Sequence, residues 1–177
     1  MLFRSIAHQV PEAWFVFVES DVTSLTAILL ERLSQSAPTA CERMILLGRQ
    51  ERRDFIALAA CIDVLLDPPY FSSGITLYDT IHHGTPIVSL EGRFLRSRYV
   101  AGAYRLMGVP EAPVAQSPEA YVQLAVELGR DRERRERLRQ QIRERQHLLY
   151  DRLEGVDAFA EFAAEAIDRA NRPRDGS

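Results

Sequence analysis

This sequence predicts an α/β chain with a mainly parallel, doubly wound sheet. Three observations carry that expectation. Short apolar runs rich in β-branched or aromatic residues recur as far as residue 115, and helical patterns fill the intervals between them. The runs are apolar throughout rather than alternating, as strands covered on both faces are. Strand and helix in turn require right-handed crossovers, hence a parallel sheet.

WFVFVE (residues 14–19) is the first run, and a helical pattern follows over 23–34. RMILLG (43–48) comes next, with a helix over 52–60. IDVLLD (62–67) ends at an aspartate, two prolines stop it, and the small-residue turn YFSSGIT opens a helix over 74–83 that Gly84 closes. PIVSL (86–90) precedes a helix over 94–107, and the weaker APVA (112–115) fits an edge strand. Ser117-Pro118-Glu119 is a capped helix start with proline at the first helical position, and Asp131 starts another helix. A last helix carries Phe159, Phe162, Ala163, Ala166, Ile167 and Ala170 on one face. The tail NRPRDGS (171–177) is expected to be disordered.

Composition excludes several classes. A chain of 177 residues suits about one domain. Apolar content of 46% and charged content of 27% are ordinary for a globular protein. No apolar run is long enough for a bilayer and the N-terminus shows no leader pattern, so a cytoplasmic chain with no membrane partner is expected. Cys41 and Cys61 lack the short spacings of a metal site and are expected to be reduced. All 22 basic residues are arginine, which excludes any mechanism that needs a lysine within this chain. The stretch RDRERRERLRQQIRER (130–145) invites a nucleic-acid reading. Its acid-first pairs Asp131–Arg135 and Glu133–Arg137 instead mark a salt-bridged exposed helix, and the net charge is −3. His82-His83 reads as an imidazolium at a helix end, favoured by the dipole.

Ligands of open α/β sheets bind beyond the carboxyl ends of the strands, where loops open into helices. IDVLLD is such a strand and YFSSGIT such a loop. Its small residues allow close approach, and unbonded N–H groups of a first helical turn attract anions such as phosphate. A plain helix cap is the alternative. The loop is not the dinucleotide fingerprint, because Gly74 is its only glycine. Asp79, five residues on, either accepts from sugar hydroxyls attached to the phosphates or is a solvated helix aspartate; both readings fit. Arg93, Arg96 and Arg98 lie at the next strand's carboxyl end, as added positive charge or as solvated side chains.

GRQERRDFIALAACIDVLLDPPYFSSGITLYDTIHHGTPIVSLEGRFLRSRYVAGAYRLMGV (48–109) resembles the C-terminal, donor-binding half of the O-linked N-acetylglucosamine transferase/SPINDLY family, bacterial members above all. The likeness runs from Phe3 onward and weakens beyond Gln141. It implies a Rossmann-like, UDP-sugar-binding domain over 1–129, the C-terminal half of a GT-B glycosyltransferase, extended by helices over 130–170. It further implies transfer of N-acetylglucosamine from UDP-GlcNAc, as donor substrate with no cofactor or metal, to serine or threonine of proteins. By the same resemblance, Ser72, Ser73, Gly74, Ile75 and Thr76 wrap the diphosphate and Asp79 holds the ribose. Gln50 and Arg52 belong to the segment whose backbone reads uracil, and Phe55 stacks on that base, although an ordinary core aromatic fits Phe55 as well.

Departures from the family pattern are specific. The bacterial pattern prefers glycine at Ser72 and Ser73, asparagine at Ile75 and glutamate at Asp79. Its diphosphate lysine would fall before Met1, as would the central strand of the order 3-2-1-4-5-6. That absence is expected to separate residues 14–19 from 62–67 unless those strands pair directly. The acceptor-binding domain lies outside the sequence, and no residue within it is a convincing general base. The isolated chain is therefore expected to be inactive and to self-associate through its last helix. A non-catalytic remnant serving as a nucleotide-sugar or scaffold module is the alternative.

Overall fold

The computed structural model describes residues 2–171. Its strands form two parallel sheets. β1 (Phe15–Val18) pairs with β2 (Met44–Leu47), placing Phe15 opposite Met44 and Val18 opposite Leu47. β3 (Leu65–Leu66), β4 (Ile87–Leu90) and β5 (Val114–Ala115) form the other sheet, with β4 in the middle. Helices α2 (Thr23–Ser36) and α3 (Pro38–Cys41) join β1 to β2, and α4 (Arg52–Cys61) joins β2 to β3. α5 (Ile75–Ile81) joins β3 to β4, and α6 (Tyr99–Met107) leads from β4 to β5. The alternating α/β architecture read from the sequence is the one observed.

The strand orders β2-β1 and β3-β4-β5 correspond to 3-2 and 4-5-6 of the doubly wound pattern. Among the described residues no strand lies between β1 and β3, and the two do not pair. Burial records the gap. Phe17, Val18, Leu65 and Leu66 are only half-buried, whereas Ile87 and Val88, flanked on both sides, are 0% exposed. β3 is shorter than the run 62–67, although the Asp67 N–H still reaches the Val88 carbonyl at 2.9 Å. Pro68 and Pro69, which follow it, have no N–H with which to extend the ladder.

The core is built around β4. α5 contributes Leu77 and Ile81, α6 contributes Val100, Tyr104 and Met107, and α7 (Pro118–Arg130) contributes Tyr121, Val126 and Leu128. α8 (Arg132–Arg145) adds Leu138 and Ile142. Each such side chain contributes about 1.5–3 kcal/mol by leaving water. A helix the periodicity does not announce, α1 (Leu2–Gln9), lays Ile6 and Ala7 into this core. Arg43 fastens it, donating to the carbonyls of Ala7, Val10 and Ala13 at 2.8, 2.9 and 3.0 Å.

Side-chain caps open two of the described helices. Ser117 caps α7 by accepting from the Ala120 N–H at 3.2 Å, with Pro118 behind it. Asp131 caps α8, accepting from the Arg134 N–H at 2.9 Å. The helix expected over 94–107 is divided: a 3-10 turn, Leu95–Ser97, comes first, and α6 starts at Tyr99. The Arg96 carbonyl is drawn aside to accept from the Ser72 N–H at 2.8 Å.

α8 corrects the sequence reading in one respect. Glu133 and Arg137 do form an exposed pair at 3.9 Å, but Asp131 and Arg135 do not pair. Arg135 is 9% exposed and turns inward, donating to the Leu128 carbonyl at 2.6 Å and the Gly129 carbonyl at 3.3 Å. Its other nitrogen meets Asp63 at 3.0 Å. Arg139 likewise reaches the Ile62 carbonyl, at 2.5 Å. α9 (Glu154–Asn171) has no buried residue, and Phe159, Phe162 and Ile167 are exposed along it. Asn171 closes that helix, and the rest of the tail lies outside the described residues.

Candidate functional site

β3 delivers the chain to the carboxyl edge of its sheet at Asp67, and the loop of interest folds back over that carboxylate. Asp67 is 1% exposed. Its Oδ2 accepts from the Ser72 hydroxyl at 2.8 Å and from the Ser89 hydroxyl of β4 at 2.6 Å. Its Oδ1 accepts from the Ser73 N–H at 2.6 Å. The Tyr121 hydroxyl donates to the Asp67 carbonyl at 3.0 Å, and burial pushes that phenol's pKa up. Ser72 is fully engaged: besides these bonds its hydroxyl accepts from the Val100 N–H at 3.2 Å.

The loop therefore divides. Ser72 is buried and serves the support of the loop, and the Ser73 N–H is already used. The N–H groups of Gly74, Ile75 and Thr76 meet no acceptor among the described residues. Space above them is open, since a Cβ built on Gly74 would meet nothing within 4 Å. Ile75 is exposed, as are Phe71 and Tyr70 earlier in the loop.

Asp79 lies one turn further along α5, its side chain 13% exposed. Arg52, at the start of α4, donates to it at 3.4 Å, so two separately predicted segments meet here. Gln50 is half-buried just before α4, its amide donating to the Gly48 carbonyl at 2.7 Å. Phe55 is half-buried one turn inside the helix. Tyr150, which no sequence pattern singles out, joins this corner: its hydroxyl lies 3.5 Å from the Tyr78 carbonyl. Burial, and then the charge of Asp79, raise its pKa.

The arginines after β4 do other work. Arg98 and Arg105 both bind Glu91, and Gln116 adds a third donor. Led by the Arg105 bond, these hold the Glu91 carboxyl down to about 2. Arg98 is thus neutralised, Arg96 stacks 4.7 Å from the Phe94 ring centre, and Arg93 is exposed. His83 departs from the imidazolium reading, because burial and then its neighbours His82 and Arg143 lower its pKa. The cation at that end of α5 is Arg143, which donates to the His83 carbonyl at 3.0 Å. Cys41 and Cys61 are free thiols. Among the described residues no three His, Cys, Asp or Glu side chains are grouped to hold a metal, and no helix is long and apolar enough to cross a membrane.

Parallel sheet, carboxyl-edge loop with unbonded N–H groups, and a carboxylate one turn beyond them define a Rossmann-like half of a GT-B glycosyltransferase fold. Residues 4–153 match the family described as glycosyl transferase family 41, and the chain belongs to it. A UDP-N-acetylglucosamine–peptide N-acetylglucosaminyltransferase of Caenorhabditis elegans is 32% identical over 89 residues, which are 50% of this chain and 8% of that protein. The solved structure of a Thermobaculum terrenum O-GlcNAc transferase mutant, K341M, superposes with a TM-score of 0.75 at 29% identity. That match covers 92% of this chain and 32% of the solved one, so the chain spans about a third of that relative and a small part of the other.

Proposed function

We propose that the chain is the donor-binding part of a protein O-glycosyltransferase that moves N-acetylglucosamine from UDP-GlcNAc to serine or threonine of proteins. One observation carries the reading: three unbonded N–H groups, at Gly74, Ile75 and Thr76, stand one turn from the Asp79 carboxylate in a family 41 chain. In this reading those groups take diphosphate oxygens, with Ser73 lining the approach. Asp79 accepts from the ribose hydroxyls after Arg52 yields. Arg52 is 77% exposed, and such a pair contributes only ~0–1 kcal/mol, so the exchange is cheap. The backbone at Gln50 and Arg52 reads the uracil edge, and Phe55 stacks on its face.

An acceptor hydroxyl attacks the anomeric carbon with inversion, the glycosidic bond to phosphate breaks, and UDP leaves. Its growing charge meets the three N–H groups. The acceptor groove and the base belong to a further domain, so this chain by itself transfers nothing to peptides.

Calorimetric titration of the 177-residue chain tests the donor site. UDP is expected to bind better than uridine. Asp79→Ala weakens UDP by ~1.5–3 kcal/mol, the worth of bonds to a charged group. Phe55→Ala weakens UDP and uridine alike, by ~1–3 kcal/mol. Arg137→Ala, on the exposed face of α8, changes neither. Equal affinity of wild type for UDP and uridine would reduce the loop to a helix cap and end the proposal.

A further inference from the structure

Asp67 is a buried carboxylate that touches neither sugar nor phosphate in the reading above, yet two of the three bonds its side chain accepts come from the loop. Its two oxygens take the Ser72 hydroxyl, the Ser73 N–H and the Ser89 hydroxyl at 2.6–2.8 Å, and Asp67 itself is 1% exposed. A carboxyl group buried this deeply is tolerable only when its oxygens are hydrogen-bonded. Here most of the bonds come from the loop itself. Ser72 passes the constraint on, because its N–H holds the Arg96 carbonyl and its hydroxyl holds the Val100 N–H. The turn is thereby locked with the Ser72 side chain and the Ser73 N–H facing inward.

We propose that Asp67 is the positioning residue of the diphosphate loop. By consuming the Ser73 N–H and burying Ser72, it leaves only Gly74, Ile75 and Thr76 turned toward the ligand, in place before a nucleotide arrives. The inference rests on the donor-site reading above and deepens it: Asp67 sets the preference for a nucleoside diphosphate over a nucleoside without touching either. A carboxylate with the same burial but a purely structural role would not bias one ligand against the other.

The test is titration of UDP and uridine into wild type, Asp67→Asn and Ser89→Ala, with urea midpoints recorded for each. In Asp67→Asn one of the two accepting oxygens becomes an NH2 that can only donate, so either the Ser73 N–H or the Ser72 and Ser89 hydroxyls lose their acceptor, and UDP is expected to weaken about tenfold or more while uridine stays within about twofold. Ser89→Ala removes a bond to the same carboxylate from β4 but none from the loop. It is expected to lose stability and keep the preference for UDP. Equal weakening of both ligands in Asp67→Asn, or equal loss of preference in the two variants, overturns the proposal.

Should Asp67→Asn fail to fold, amide exchange of wild type decides. The Ser72 and Ser73 amides are expected to be protected before ligand, with UDP adding protection at Gly74, Ile75 and Thr76. Free exchange at Ser72 and Ser73 until UDP is added would overturn it equally. If wild type does not prefer UDP over uridine, it is the donor-site reading that fails; if it does and Asp67→Asn keeps the preference, only the positioning role fails.

Discussion

Removal of the Arg135 guanidinium is the sharpest test of the packing between α7 and α8. The bond to the Leu128 carbonyl is short, at 2.6 Å, and that to Gly129 is long, at 3.3 Å. Both acceptors lie near the end of α7, where carbonyls have no intrahelical partner and a cation is favoured. A bond from a charged donor is worth ~1.5–3 kcal/mol net, and only the shorter one merits that figure. The Asp63 pair adds ~0–1 kcal/mol, because that carboxylate is 72% exposed. Against this, the Arg135 Nε is buried without a partner, a cost the substitution relieves. Arg135→Ala is therefore expected to lose about 1.5–3 kcal/mol, and Arg137→Ala no more than ~0.5 kcal/mol. Arg135→Lys falls between them, since an ammonium lacks the planar fork that serves carbonyl and carboxylate together. Urea unfolding with a constant m-value measures all three. If Arg135→Ala and Arg137→Ala unfold together, the inward reading of Arg135 is refuted.

Two further outcomes are expected. The Glu91 pKa of about 2 lies below its ordinary 4.5, so its stabilising contribution is complete above about 4.5 and is lost as pH falls toward 2. The stability difference between wild type and Glu91→Gln should shrink over that window, and a difference independent of pH would count against the Arg105 and Arg98 clamp. The exposed stripe of α9 should drive self-association, which Phe159→Glu with Phe162→Glu reduces; light scattering that shows monomer for wild type at high concentration removes the premise.

Much of the architecture was legible because it rests on local, periodic signals. The runs at 14–19, 43–48, 62–67 and 86–90 each contain an observed strand, and the caps at Ser117 and Asp131 open the helices expected of them. α1 was not legible. It is eight residues long, and its place depends on packing against α7 and on Arg43, far along the chain. α8 failed in a more instructive way. Acid-first spacing is evidence about an isolated helix surface, and it cannot say that the carbonyl end of the preceding helix lies closer to Arg135 than Asp131 does.

The site shows the same division at higher stakes. Gly74 and Asp79 are local features, a helix start and a carboxylate one turn on, and sequence alone proposes them. Which N–H groups remain unbonded is not local. That depends on Asp67 meeting Ser89 from β4, and on Ser72 meeting Arg96 and Val100 beyond β4. Small residues at Ser72 and Ser73 look interchangeable with those at the rim until the fold shows the Ser72 side chain and the Ser73 N–H turned toward Asp67. The hydroxyl at Ser72 acquires a reason, because it gives the buried carboxyl group a donor that glycine lacks, whereas the bond from Ser73 is a backbone one that glycine would make as well. Ser72 is thus part of how this chain holds its loop.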